Sequence, residues 1–213
     1  MSPRPRTIPD AVILGATARM ISRVGPVKLT LADVGDEVGL APATLLQRFG
    51  SKRGLLLALV TQSVESIPAL FERVRSRHES ALAATIAAAT HMAEHLRTPD
   101  ELANNLAFFQ MDLRDVEFHR LALEHSRRVR AGYRSLLDEA IAAKELAACD
   151  TAKLASAIQA VATGSLLNWA IHREGRVATW VRADLDTVIA PYRPPRVRRN
   201  GGRRAPPRVA TGG

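Results

Sequence analysis

One cysteine, Cys149, is the chain's whole complement among 213 residues, which excludes an internal disulfide and suits a reducing compartment. No apolar run approaches the ~18 residues that suggest a membrane span, because charges interrupt the long stretches. The N-terminus, Met1-Ser-Pro-Arg-Pro-Arg, leads into a periodic segment instead of the roughly 7–15-residue apolar core of a signal peptide. A cytoplasmic protein is expected. A Gly-rich phosphate loop, a Gly-x-Ser-x-Gly elbow and a Cys-x-x-Cys pair are all missing, and so are repeats and any convincing period-two alternation.

What remains is ordinary globular material, 46% hydrophobic and 24% charged. The formal charge of +9 is unevenly spread. Residues 193–213 hold seven Arg and no acid, and residues 1–60 hold eight basic and four acidic side chains. The intervening body is slightly acidic. Basic ends around such a body suit a reader of polyanions with a separate second domain, although Arg-rich tails also merely solvate chains.

Helical signals dominate. Thr7-Ile-Pro-Asp10 has the spacing of a capping box. Ile13, Leu14, Thr17, Met20, Ile21 and Val24 follow at three- and four-residue steps, and Gly25-Pro26 stops the helix. Thr30-Leu-Ala-Asp33 is a second capping box, opening a short helix with Leu31, Val34 and Val38 on one face and Gly39 at its end. Pro42 then sits where a new helix would start, and its missing N–H costs nothing there. Ala43 to Phe49 is a further two-turn helix, with Leu45 and Phe49 four apart. Two short helices around a tight Gly-containing turn outline a helix-turn-helix. Gly50-Ser51 breaks the chain, and Ser51 is placed to cap a long helix through Leu55, Leu56, Leu59, Val60, Val64, Ile67, Leu70 and Phe71.

Residues 30–56, TLADVGDEVGLAPATLLQRFGSKRGLL, resemble the signature of the tetracycline-repressor (TetR) family. The matching positions are Thr30, Leu31, Asp33, Val34, Gly39, Leu40, Ala43, Leu45, Phe49, Ser51, Lys52 and Leu55, in register without a gap. Together with the first helix, the resemblance covers about residues 8–60. The chain departs from the family's pattern at several places. Gly35 and Val38 stand where the family usually has Ala, and Ala41 replaces the usual Ser of the turn. Leu46 replaces the customary Tyr of the recognition helix, and Arg48 the Tyr or His two residues later. These departures bear on the contact pattern rather than on the fold.

The resemblance implies an all-α protein, with a three-helix DNA-binding domain over residues 1–54 and a larger effector-binding and dimerisation bundle over 55–192. Residues 193–213 are expected to be a disordered Arg-rich tail. A recognition helix lies in the major groove with one face toward bases. Leu45 and Phe49 point inward by spacing, which leaves Pro42, Ala43, Thr44, Leu46, Gln47 and Arg48 toward DNA. Gln47 suits bidentate contact with adenine, and Arg48 suits guanine or phosphate. Thr44 fits a base edge or a phosphate, and Leu46 a thymine methyl. Thr30 and Lys52, at helix starts, are placed for phosphates. Arg4 and Arg6 are either a minor-groove arm or an unstructured leader.

In the C-terminal part, breaks fall near Thr98-Pro99, around Glu145–Asp150 and at Gly175. Thr98-Pro-Asp-Glu101 is another capping box. One helix is expected from about Val116 to Ala143 and another from Thr151 to about His172. A last one carries Trp180, Val181, Leu185, Val188 and Ile189 before Pro191. By resemblance, residues 151–190 form a homodimer interface, and a small apolar or amphipathic effector enters the bundle and releases a repressor from a palindromic operator. His91, His95, Phe108, Phe109, Gln110, Met111 and Trp169 are the lining candidates, each better suited to plain core or surface than to a ligand contact.

Two other readings compete. His91-Met-Ala-Glu-His95 has the H-x-x-E-H spacing of some zinc peptidases, but no further ligand is marked by spacing. No catalytic residue, metal site or cofactor is therefore assigned. A non-specific architectural binder using both basic ends would ignore small molecules and sequence, whereas a repressor discriminates by ~10³ or more.

Overall fold

The computed structural model describes residues 8–194, apart from the side chains of Met92 and Asp112, and all its regular structure there is helical. The Thr7 capping box, Arg4, Arg6 and all of the Arg-rich tail beyond Pro194 lie outside the described residues.

α1 spans Asp10–Lys28, with Pro9 rather than Thr7 at its N-cap and no side-chain cap. Its buried stripe of Ile13, Leu14, Thr17, Met20 and Ile21 follows the expected spacing. Gly25, at φ 78° and ψ 160°, interrupts the helical path, and Pro26 to Lys28 add a turn in a new direction. A side chain at Gly25 would also press on Asn104, whose amide nitrogen donates to the Ser22 carbonyl oxygen at 2.8 Å.

α2, Leu31–Val38, opens on the predicted capping box: the Thr30 hydroxyl accepts from the Asp33 N–H at 3.1 Å, and the Thr30 N–H donates to the Asp33 carboxylate at 2.8 Å. Gly39 closes it in the left-handed region. Gly35 has a steric reason. A Cβ there would collide with the Leu40 carbonyl oxygen across the turn, so the chain passes closer than an Ala at this position allows. α3, Pro42–Phe49, begins with Pro42 at its first turn and no side-chain cap from Ala41.

α4 runs from Lys52 to Ser76, capped by Ser51, whose hydroxyl accepts from the Gly54 N–H at 3.0 Å. It is shared between two cores. Leu55, Leu56, Val60 and Val64 join α1–α3 and the buried Phe118 and Leu121. Ile67, Phe71 and Val74 join the core of the body. α5, Ala81–Glu94, starts after a break at residues 77–80 that the hydrophobic pattern did not mark. The Ser80 hydroxyl caps it by accepting from the Ala83 N–H at 3.0 Å, and the distant Glu145 adds a second cap, accepting from the Ser80 hydroxyl at 2.6 Å and from the Leu82 N–H at 2.8 Å.

α6 spans Pro99–Arg114, α7 Val116–Ala142, α8 Thr151–His172 and α9 Val177–Ile189, close to the expected limits, with Pro191 inside a closing 3-10 turn. The Thr98 hydroxyl caps α6 by accepting from the Glu101 N–H, but the Glu101 carboxylate reaches back to the N–H of Arg97, not of Thr98. α1 packs mainly on α6, α4 on α7, and α8 on α9, while α5 runs between α4, α7 and α9. Contrary to the sequence expectation, α4 and α8 are each long and apolar enough by composition to cross a membrane. In this fold 33% of each apolar stretch is buried, with α4 packed chiefly on α7 and α8 on α9. Arg193, assigned to the tail, is tied to α9 through Asp186 at 2.6 Å.

Candidate nucleic-acid interface

The geometry of α3 follows from its two inward residues. Leu45 is fully buried and Phe49 half-buried against the N-terminal core, so the opposite face turns out. Pro42, Ala43, Gln47 and Leu46, the last 51% exposed, lie on that outer face, with Thr44 half-buried at its edge. Gln47 brings both a donor and an acceptor on one amide, the pairing an adenine edge requires.

The other residues predicted from sequence are already engaged. Arg48 folds back on the start of α1, where its Nη1 donates to the Ile8 carbonyl oxygen at 2.7 Å and lies 3.5 Å from the Asp10 carboxylate. The Thr30 hydroxyl donates to Asp33 at 2.7 Å while accepting from its N–H, so both functions serve the cap. The bond from the Thr30 hydroxyl first, and then that from the Thr30 N–H to the same carboxylate, hold the Asp33 carboxyl below its ordinary range. Lys52 sends its Nζ to the Val27 carbonyl oxygen at 2.9 Å. An ammonium has three donors, so this bond orients Lys52 at the N-terminus of α4 and leaves capacity for an anion.

The candidate effector residues are dispersed. Phe108 meets the buried Phe118 ring edge-on at 6.0 Å, and Met111 packs on the same N-terminal core. Trp169 is buried in the other core, with its indole N–H donating to the Gly175 carbonyl oxygen at 3.2 Å. Phe109 and Gln110 are exposed on α6. His91 and His95 stand at the end of α5 with rings edge-on at 5.0 Å, and the His95 Nδ1 is 2.9 Å from the His91 carbonyl oxygen. Burial, then the neighbouring His95, pushes the His91 pKa down. Among the described residues, no three His, Cys, Asp or Glu side chains converge as a metal site would need.

Sequence reading overlooked Arg53 and its partners. Arg53 bonds Asp115 and Glu117 at the α6–α7 junction, 62 and 64 residues on, beside an open groove also lined by Arg114, Val116 and Arg120. Asp115 before an apolar helix was a visible N-cap. The ion pair had no local signal.

Residues 13–59 match the family model described as "Bacterial regulatory proteins, tetR family". The HTH-type transcriptional regulator BetI of Agrobacterium fabrum is 27% identical over 128 residues, which is 59% of this chain and 62% of that protein. The match thus spans less than two thirds of that relative's length. Among solved structures, a TetR transcription regulator from Haloarcula marismortui superposes with a TM-score of 0.71 at 15% identity, covering 87% of this chain and 98% of that one. The regulator FadR from Bacillus subtilis, in complex with stearoyl-CoA, gives 0.62 at 16% identity, with coverages of 84% and 96%. The structural likenesses show the fold, and residues 13–59, across α1–α4, are similar to the TetR family of bacterial regulatory proteins.

Proposed function

We propose that the protein is a sequence-specific, DNA-binding transcriptional regulator that acts as a homodimer and represses until a small molecule releases it. The observation that carries this reading is the outer face of α3, which leaves Gln47 and Leu46 exposed while Leu45 anchors the helix from behind. Lys52 beside it, at the start of α4, supplies a cation for the backbone phosphates, which position the helix while bases specify. In this assignment residues 1–54 read DNA and residues 55–192 bind effector and partner.

A single two-turn helix reads too few base pairs, and a two-fold dimer places two of them ~34–36 Å apart. Support for pairing through residues 151–190 comes from the outer face of α8. Ala160, Thr163, Gly164, Leu167 and Ile171 recur there at three- and four-residue steps, and Ile171 is 75% exposed. A second copy would cover apolar surface that water now touches. The fold shared with FadR, which was solved with stearoyl-CoA, supports an apolar or amphipathic effector held within the bundle. Phe108 and Met111 are then placed to feel it, because they lie on α6 against the N-terminal core. The effector works only through a difference in affinity for the DNA-competent and released states.

The test is selection of bound duplexes from a random DNA pool. A palindrome with half-sites about one turn apart is the expected result. Enrichment of nothing, with binding that only weakens as salt rises, overturns the proposal in favour of a non-specific architectural binder.

A further inference from the structure

Only two residues, Gly50 and Ser51, separate α3 from α4, so whatever holds the first turn of α4 also holds the recognition helix. Arg53 lies on that turn. Its Nη2 donates to both Asp115 carboxylate oxygens at 2.9 Å, its Nε to one of them at 3.1 Å, and its Nη1 to the Glu117 carboxylate at 3.0 Å. The guanidinium also stands 5.6 Å from the centroid of the buried Phe118 ring. Asp115 has a second duty as the cap of α7, accepting from the N–H groups of Glu117 at 2.9 Å and Phe118 at 3.3 Å. One carboxylate therefore sets both where α7 begins and where the first turn of α4 rests.

An isolated surface ion pair of two flexible chains contributes little. This one differs in geometry. A planar fork on a carboxylate that is itself fixed by a helix cap, with a second carboxylate and a ring alongside, defines a direction as well as a distance. The helix-turn-helix also meets the body along α1, which packs mainly on α6 and where Asn104 donates to the Ser22 carbonyl oxygen at 2.8 Å. The DNA-reading helices are thus mounted along α6 and at the junction just past its end, where Arg53 supplies the charged fork.

We infer that Arg53 is a positioning residue: its fork on Asp115 and Glu117 fixes the angle of α3 on the body, and through it the half-site spacing that the dimer accepts. The inference rests on the dimeric, operator-reading function proposed above. Successive base pairs are ~3.4 Å apart along the duplex. A tilt that moves α3 by that distance therefore changes the preferred spacing by one base pair without altering the bases each helix reads.

The full-length protein and three variants, Arg53→Gln, Arg53→Lys and Asp115→Asn, are compared on duplexes carrying the selected half-sites at spacings varied one base pair at a time. Asp115→Asn keeps an acceptor for the α7 cap while losing the charge that grips Arg53. The wild type is expected to favour one spacing. Arg53→Gln and Asp115→Asn should keep the half-site motif but lose roughly fivefold or more of that spacing preference, the lower end of coupling between distant sites. Arg53→Lys should fall between, because an ammonium keeps the charge without the fork. An unchanged spacing profile in folded Arg53→Gln overturns the inference, and so does an equal loss of affinity at every spacing, which marks a plain phosphate contact. Should Arg53→Gln fail to fold, Asp115→Asn decides by the same criteria. A wild type that selects no paired half-sites removes the functional proposal itself. A wild type with a firm spacing, shared by the variants, removes only the role of Arg53.

Discussion

Arg48 sits on α3, yet its guanidinium donates to the Ile8 carbonyl oxygen, 40 residues earlier, at 2.7 Å. That bond and the nearby Asp10 carboxylate tie α3 to the entrance of α1. Gln47, its neighbour, is exposed and turns outward. The two adjacent residues therefore answer differently to truncation. Gln47→Ala should relax preference at one base pair per half-site, by about 1–3 kcal/mol of discrimination. Arg48→Ala should leave the selected motif in place and lower stability by about 1 kcal/mol, a typical loss for one hydrogen bond in a partly solvated setting. Motif selection and denaturant melts on both variants check this. A motif altered by Arg48→Ala and untouched by Gln47→Ala reverses the assignment.

Lys52 should behave as a phosphate contact. Its removal in Lys52→Ala is expected to weaken binding to every sequence alike and to flatten the dependence of log affinity on log salt by about one unit per lost contact. Since Lys52 also bonds the Val27 carbonyl oxygen, a small loss of stability should accompany the change. Titrations against operator and random DNA across a salt series measure the slope. A slope equal to that of the wild type would place the DNA backbone elsewhere.

Glu145 links stability to pH. Burial pushes its carboxyl pKa up, but the hydrogen bonds from the Ser80 hydroxyl and the Leu82 and Ala81 N–H groups outweigh that, and the net shift is down. A carboxyl whose folded pKa lies below its unfolded value of about 4.3 contributes fully above that value. Its contribution fades as pH falls through the folded pKa. Glu145→Gln should therefore cost about 1–2 kcal/mol at neutral pH, in the range of a lost charged cap after allowance for solvent screening. The difference from wild type should shrink below pH ~4. Thermal melts from neutral to acid pH test it, and a gap that stays constant into acid would exclude the carboxylate as the cause.

The helices legible in the sequence were those whose ends are local. Thr30 with Asp33, Gly39, Pro42 and Ser51 each act within four residues, and the structure forms α2, α3 and the start of α4 where they predict. The α4–α5 break was not read, although Ser80 caps α5 locally through the Ala83 N–H; its second cap, from Glu145 beyond the end of α7, is too distant for any periodicity to encode. The outer face of α3 could be read from Leu45 and Phe49 alone, since a helix with its inner residues known has its outer ones fixed. The engagement of Arg48 and the fork of Arg53 could not, because long charged side chains choose partners by tertiary geometry. Of the candidate effector residues, Phe108 and Met111 fell to one core and Trp169 to the other, while Phe109 and Gln110 stayed exposed, which only the packing of α6 and α8 decides.

The approach of α4 to α7 gives a prediction in which two effects of opposite sign compete. Gly132 lies in the interior of α7, where Ala is favoured over Gly by ~0.8–1.0 kcal/mol. A methyl group at that position would overlap the Phe71 ring of α4. The ring has little room to retreat, because it is buried and meets the buried Tyr133 ring edge-on at 5.3 Å. Forcing a methyl into such a contact costs about 1–3 kcal/mol, so the steric loss should exceed the helical gain. Gly132→Ala is accordingly expected to unfold at lower denaturant with a net loss of about 1 kcal/mol, at an unchanged m-value. Phe71→Leu in the same background should recover part of the loss by removing the ring's edge. A more stable Gly132→Ala would mean that α4 and α7 stand farther apart than this structure places them.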